Sequence, residues 1–500
     1  MWRRTVDQSV CEWAVRCLLI GVTLTMILWL APQHASGASP LVWGSAQVTD
    51  PGDLGGESSA VSCSSASFCL AVTAGQIATS TDPLASDPLW RHVTPATVAG
   101  ESEVAGASCP SASLCVIVSG LDVEVSTDPA AGTNTWEAFP VADSAISGIS
   151  CPTSRLCVAI DSAGQALIST DPAGGSAAWQ AFALPTSSAP YECGKYGPGD
   201  DCTATLDSVA CASVLLCVVG DEADESAGDV ISSTTPTVSD SWRSDQLSDQ
   251  DGVASISCPS SSSCYALSGD DKGRPALFHS ENPAAGVTSW QPEYLKTLPQ
   301  SVSCGTPHLC AGFFQTTTDA PFSALASSSP LLPTSWSAAV LSRPSTTAIG
   351  SVGPVFFQLT QTTCAAAGFC VIDSSPGDVY IGASPAVVAT DLRSTIKAAF
   401  TKVQLSRSGT TVAVPINLQF AGTISLSARL GSGREPVVLG AATVPTAQTT
   451  KLRLHVTKVG RERLAHDQRA RMTAELTLTP KSGPRVTTSV TLTTRLSGSA

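Results

Sequence analysis

The chain has 500 residues, of which 14% are charged, with a formal net charge of −14 and 18 cysteines. The charge is divided: residues 39–390 hold 8 basic and 34 acidic residues, whereas residues 391–500 hold 16 Lys/Arg against 5 Asp/Glu, net +11. The acidic part is excluded as a nucleic-acid binder because phosphates would be repelled, and the asymmetry implies two domains with different electrostatic partners.

Residues 1–38 read as a secretory signal peptide. Arg3, Arg4 and Arg16 are basic, an apolar run from Cys17 to Ala31 follows, and Ser36-Gly37-Ala38 places small residues at a cleavage position. The run is short for a membrane span, so no span is expected after cleavage; the alternative is an uncleaved anchor that tethers the protein to the membrane. Cleavage would remove Cys11 and Cys17 and leave 16 cysteines. An even set in an exported chain is expected to be disulfide-bonded.

From residue 39 one unit recurs seven times: a Cys-x5-Cys pair, a Pro turn, then in six cases a Trp. The pairs are Cys63 with Cys69, Cys109 with Cys115, Cys151 with Cys157, Cys211 with Cys217, Cys258 with Cys264, Cys304 with Cys310 and Cys364 with Cys370. Cys193 and Cys202 account for the remaining two. First cysteines are spaced by 46, 42, 60, 47, 46 and 60 residues, a period that four short strands fill. Zinc fits poorly, because the spacing is wrong and the repeats carry almost no histidine. The pairs read as structural disulfides that bracket the turn between the first two strands of each unit. Each would close a loop worth roughly 2 kcal/mol on the chain-entropy model.

Residues 146–184 show one unit in full. Strands are expected at Ile146 to Cys151, Leu156 to Ile160, Gln165 to Ser169 and Trp179 to Leu184, with Pro152 to Arg155, Asp161 to Gly164 and the Asp171-Pro172 segment as turns. The last turn recurs at Pro83, Pro129, Pro172, Pro236, Pro283, Pro330 and Pro385. Asp82, Asp128, Asp171, Thr235, Asn282, Ser329 or Ser384 precedes the proline, each able to cap the turn through its side-chain oxygen. Trp90, Trp136, Trp179, Trp242, Trp290 and Trp336 follow a pair; the seventh pair has no later Trp, and Trp43 has no pair before it. Ring closure reconciles the two: a strand from about Leu41 supplies the outer strand of the last unit and leaves no open sheet edge. The fold class is therefore all-β: a seven-bladed β-propeller over residues 39–385, closed by the N-terminal strand, with the tryptophans as inter-blade core.

Residues 386–400 read as a linker, with a helix from Asp391 as an option. In residues 401–500, alternating segments at Val412 to Leu418, Thr423 to Leu430, Lys451 to Val456, Met472 to Thr479 and Val486 to Thr494 read as the strands of a basic, immunoglobulin-like β-sandwich. A helical turn fits Val459 to His466.

The segments Ser126 to Trp136, Ser169 to Trp179 and Ser280 to Trp290 resemble the Asp-box of sialidase-like propellers, Ser-x-Asp-x-Gly-x-x-Trp, with a longer spacing to Trp. In that family the box is a structural turn, so the resemblance implies a fold for residues 39–390 and no active site. The tail, through Val437 to Gly440, Leu452 to Leu464 and Arg485 to Thr494, resembles a β-sandwich module at the C-termini of secreted Gram-positive proteins.

Sites are sought on the face carrying the long two-three turns and inter-blade links, because binding sits on variable loops over a rigid frame. Residues 180–208 with Tyr191 and Tyr196, the acidic run Asp221 to Asp229, and residues 337–361 extend that face. Asp200, Asp201, Asp221, Glu222, Asp224, Asp270 and Asp271 are candidate Ca²⁺ ligands, since hard cations take carboxylate oxygens; the competing reading is a solvated acidic surface. No other cofactor is indicated. A sialidase-type site would need converging arginines, a Tyr nucleophile and an acid. Arg91, Arg155, Arg243, Arg274 and Arg343 do not fall together on inner strands, and no Gly-x-Ser-x-Gly, P-loop or His-Glu-x-x-His motif is present. The expectation is a secreted or cell-surface, non-enzymatic binding or scaffold protein for an extracellular protein or glycan, its basic tail available to anionic cell-wall polymers. Two rival readings are a sialidase-type glycoside hydrolase and an assembly factor for an exported complex.

Overall fold

Second strands such as Leu114–Ser119, Leu156–Asp161 and Leu216–Asp221 are apolar on both sides, and they are buried along nearly their whole length. Such strands need sheets packed against both faces, and the chain supplies them by repetition. The structure, a computed structural model, describes residues 39–48, 59–73, 76–85, 89–93, 104–132, 135–185, 206–221, 228–248, 251–270, 272–315, 322–341, 358–365, 368–375, 378–401, 405–406, 411–416, 418–420, 422–430, 450–455, 457–459, 462, 469–481 and 483–497. Residues 1–38, expected to be an export signal, Cys193 and Cys202, and most of the segment Val459 to His466, expected to form a helical turn, lie outside them.

Among the described residues, six four-stranded antiparallel sheets follow in sequence over 59–93, 104–140, 146–183, 206–248, 255–293 and 301–340. In the third sheet the strands are Ile146–Thr153, Leu156–Asp161, Gln165–Ser169 and Trp179–Ala183. The seventh sheet takes Gln358–Ala365, Phe369–Ser375 and Asp378–Ala383 from the end of the repeats. Its outer strand is Val42–Trp43, pairing Val42 with Ala383 and Trp43 with Gly382, and Gln47–Val48 pairs further along the same edge. First strands of successive sheets lie side by side, and that of the seventh adjoins that of the first. The Val61 N–H donates to Gln361 Oε1 across this junction, at 3.2 Å. This cyclic packing of sheets is a β-propeller.

Seven Cys-x5-Cys pairs are bonded, with Cα atoms 4.0–4.2 Å apart. Each bridges the hairpin between first and second strands; Cys63 with Cys69, Cys211 with Cys217, Cys304 with Cys310 and Cys364 with Cys370 are directly opposed in register. The pairs bracket a turn, but their second members do not lie at the surface. Cys69, Cys115, Cys157, Cys217, Cys264, Cys310 and Cys370 are all 0% exposed. Each sits on a second strand and contributes to one of the hydrophobic cores. These seven cysteines are therefore core residues, and burial keeps them out of any solvent-accessible site. The bonds are compatible with an oxidising, extracellular setting. The tryptophans fill the seams between sheets: Trp136 joins the core of the first and second, Trp179 that of the second and third, and Trp43 that of the sixth and seventh.

The proline turns are capped differently from the sequence expectation. A serine two residues earlier is the cap: the hydroxyls of Ser80, Ser126, Ser169, Ser233, Ser280 and Ser327 accept from the N–H of Asp82, Asp128, Asp171, Thr235, Asn282 and Ser329. In the sheet register these serines stand opposite Cys69, Cys115, Cys157, Cys217, Cys264 and Cys310, so staple and cap lie at the same end of each sheet. The residue before proline contributes its main-chain carbonyl, which accepts from the N–H three residues on, as in Ala131 to Asp128 and Gly174 to Asp171. In the seventh sheet Gly382 stands opposite Cys370, and Pro385 opens a helix instead of a turn.

That helix, Pro385–Thr401, corrects the linker expectation for 386–400. Proline suits the first helical position because its missing N–H would be unpaired there, and the Ser384 carbonyl accepts from the Val388 N–H at 3.0 Å. Val388, Leu392, Ile396 and Phe400 recur every four residues and are buried on one face. Beyond it, Leu405–Ser406, Val486–Ser497, Arg469–Pro480 and Gly422–Leu430 form a four-stranded sheet, and Thr411–Ile416 pairs with Thr450–His455. One continuous core joins Trp90, Val371 and Ile381 of the propeller, the helix, and Val414, Leu426, Leu454 and Leu476 of the C-terminal sheets. The Ser45 N–H, just after the closing strand, donates to the Gln419 carbonyl at 3.4 Å. Among the described residues no helix is long and apolar enough to cross a membrane.

Candidate binding site

The inner strands bound a polar channel of about 510 Å³, with Ser108, Ser150, Ser208, Ser257, Ser303 and Thr363 in its wall. Several of these hydroxyls are already engaged. Ser62, Ser108, Ser150, Ser257 and Ser303, each just before a first cysteine, accept from the N–H of the next pair's first cysteine at 2.8–2.9 Å, in five of the seven steps; Ala210 stands at the fourth-to-fifth step and Thr363 at the seventh-to-first. The recurrent Ser-Cys dipeptide is the sequence signal for this ring of inter-sheet bonds, and the repeat reading passed over it. No arginine lines the channel among the described residues, and Asp207 is its one charged group. Arg91 donates to the Ala130 carbonyl and Arg243 to the Asp240 carbonyl, Arg155 sits in an exposed hairpin turn, and Arg343 lies outside the described residues. Among the described residues, the arginine cluster a sialidase site requires is not assembled.

A larger cavity, about 610 Å³, opens between the fourth and fifth sheets. The strand Arg243–Ser248 forms one wall through Gln246 to Ser248; Phe278, Val287, Trp290 and Pro292 form the apolar remainder. Its polar edge is the turn between Ser263–Gly269 and Pro275–Ser280. Gly273 has φ +66°, a left-handed conformation that glycine adopts without strain. Asp270 organises the turn: Oδ1 accepts from the N–H of Lys272 at 3.0 Å and of Arg274 at 2.8 Å. Oδ2 accepts from Arg274 Nε at 2.8 Å and from the Tyr294 hydroxyl at 2.7 Å, and Arg274 Nη2 lies 2.6 Å from it. The guanidinium stacks over the Tyr294 ring, 4.4 Å from its centroid.

These contacts fix the charge states. The Arg274 guanidinium, with help from Tyr294 and the two turn N–H groups, holds the Asp270 carboxyl well below the usual carboxylate range. Asp270 in turn raises the pKa of Arg274 and, by accepting its hydrogen bond, that of Tyr294. Near neutral pH the cluster is a carboxylate, a guanidinium and a phenol, with no group poised to exchange a proton.

Of the candidate cation ligands, Asp270 is thus engaged by Arg274 and Tyr294. Asp221 ends the strand Leu216–Asp221 and is fully buried. Asp200, Asp201, Glu222, Asp224 and Asp271 lie outside the described residues. Among the described residues no three His, Cys, Asp or Glu side chains gather closely enough to hold a metal. Sequence reasoning missed the role of Arg274 and Tyr294, which are twenty residues apart and meet only because the second-to-third turn and the outer strand end on the same edge.

No family model matches the chain, and no curated protein matches it. Among solved structures, YCF48 from Cyanidioschyzon merolae is similar at 12% identity and TM-score 0.45, covering 68% of this chain and 99% of that one. YCF48 bound to D1 peptide is similar at 10% identity and TM-score 0.44, covering 68% of this chain and 96% of that one.

Proposed function

We propose that this is an exported, non-enzymatic binding protein: a seven-bladed propeller closed by its N-terminal strand, carrying an immunoglobulin-like β-sandwich, that seats an extracellular protein partner at the cavity between the fourth and fifth sheets. The observation that carries the reading is the Asp270–Arg274–Tyr294 cluster. Its charges are preorganised beside an apolar wall, which favours recognition, and locked in one protonation state, which does not favour proton-transfer chemistry. Exposed Val287 and Tyr294 add apolar area at the rim, where aromatic and arginine side chains concentrate binding energy.

The test is a peptide and glycan array probed with the purified exported chain. Binding that falls at least tenfold in Arg274→Ala and Tyr294→Phe supports the reading; binding indifferent to both, or hydrolysis of an arrayed glycan, refutes it. The basic tail remains available to anionic wall polymers: Arg471, Lys481 and Arg485 are exposed. Charge reversal at all three should abolish wall association, and wall binding unchanged by it would reject that part.

A further inference from the structure

Antiparallel pairing between Leu216–Asp221 and Gly228–Ser233 runs in step from Cys217↔Ser233 to Gly220↔Val230. One step further along that register sets Asp221 opposite Asp229. Both are 0% exposed. Like charges directly across a strand pair repel, and burial removes the water that would screen them. Asp229 Oδ2 accepts from the Ser244 hydroxyl at 2.8 Å. Neither carboxylate oxygen of Asp221 has a hydrogen-bond partner.

The same strand end in the third sheet shows what is missing. Asp161 follows Cys157 by four residues, as Asp221 follows Cys217, and its Oδ1 accepts from the N–H of Ala163 and Gln165. Asp221 occupies the equivalent place without such donors and with a second carboxylate across from it. A buried carboxylate pair in this state needs a proton or a cation.

We propose that Asp221 and Asp229 form a buried site for a hard divalent cation, with Ca²⁺ as the probe. Two carboxylates can supply up to four oxygens, and main-chain carbonyls and water would complete a shell of about six to eight. With no third acidic, His or Cys side chain gathered there among the described residues, affinity is expected in the range of extracellular Ca²⁺ modules, about 0.1–1 mM.

The experiment is a thermal unfolding series on the exported chain, stripped with chelator and then titrated with Ca²⁺, Mg²⁺ or Mn²⁺ to 10 mM, beside Asp221→Asn and the exposed-site control Asp240→Asn. Binding to the folded state alone raises the midpoint with metal concentration. The expected result is a saturable rise in the wild type and in Asp240→Asn, absent in Asp221→Asn. In chelator, Asp221→Asn should match or exceed the wild-type midpoint, which shows that it folds. The proposal is overturned if no metal moves the wild-type midpoint, or if the rise survives in Asp221→Asn. It is also overturned if Asp221→Asn exceeds the wild-type midpoint by the same margin with and without metal, the signature of a shared proton.

Discussion

Replacing Leu392 with alanine tests whether the helix Pro385–Thr401 is part of the propeller or a passive connection. Leu392 is 0% exposed, and the core it joins contains Trp90, Val371 and Ile381 on one side and Val414, Leu426 and Leu476 on the other. A cavity walled by two sheet systems and a helix cannot easily collapse, so the cost should lie near the middle of the Leu→Ala range, about 3 kcal/mol. All tryptophans outside the first 38 residues lie between Trp43 and Trp336, none in residues 385–500, so tryptophan fluorescence reports the propeller alone. With a urea m-value of about 3 kcal/mol/M, a loss of that size moves the propeller midpoint by about 1 M. The same variant should split a single calorimetric transition into two, because the helix is what couples the two sheet systems. A propeller midpoint within about 0.2 M of wild type, well below the 1 M expected, would refute the shared-core reasoning.

Three further predictions rest on particular side chains. Asp391 is pushed up to about 7 by burial and then by Asp82, and Asp378 up to about 7 by burial. Both hold a proton in the folded state that the unfolded chain releases near 3.8, so stability should fall as pH rises from about 4 to about 7 and then level off. Thermal midpoints from pH 5 to 8 should show this decline, shallower in Asp391→Asn; parallel curves would reject the assignment, and the opposing contribution of half-buried His279, whose pKa is lowered by desolvation, is common to both proteins. Ser257→Ala leaves the Cys304 N–H without its 2.8 Å acceptor, at a cost of about 1–3 kcal/mol, and should speed hydrogen exchange at that amide while leaving Cys151 unchanged. Denatured, unreduced protein should show no alkylation at the seven bonded pairs, and replacing both Cys151 and Cys157 with serine should lower stability by roughly 2 kcal/mol in chemical denaturation.

Much of this fold is written locally. Disulfide hairpins, four strands per unit and the displaced Trp43 follow from spacing, because strand period, turn chemistry and cysteine reach are short-range constraints. The closing strand was legible from a missing Trp at one end and a surplus one at the other. Spacing paired Cys69 with Cys63 and Cys115 with Cys109, yet the complete burial of Cys69, Cys115, Cys264, Cys310 and Cys370 comes from neighbouring sheets, which a spacing does not describe. The Val388, Leu392, Ile396, Phe400 repeat was also in the sequence, but a lone amphipathic stretch does not say which surface it will cover. Serine capping of the turns was hidden because Ser and Asx both suit a turn, and only main-chain geometry decides which oxygen reaches the N–H.

The sequence by itself determined the repeat, its staples and its seams, since each depends on residues within one unit or its neighbour. Only the tertiary structure decided the rest. Arg274 meets Tyr294, Asp221 faces Asp229 without a donor, and the C-terminal sheets share a core with the ring. Those outcomes depend on where strand ends and separate layers fall in space, and that is fixed by closing the whole ring.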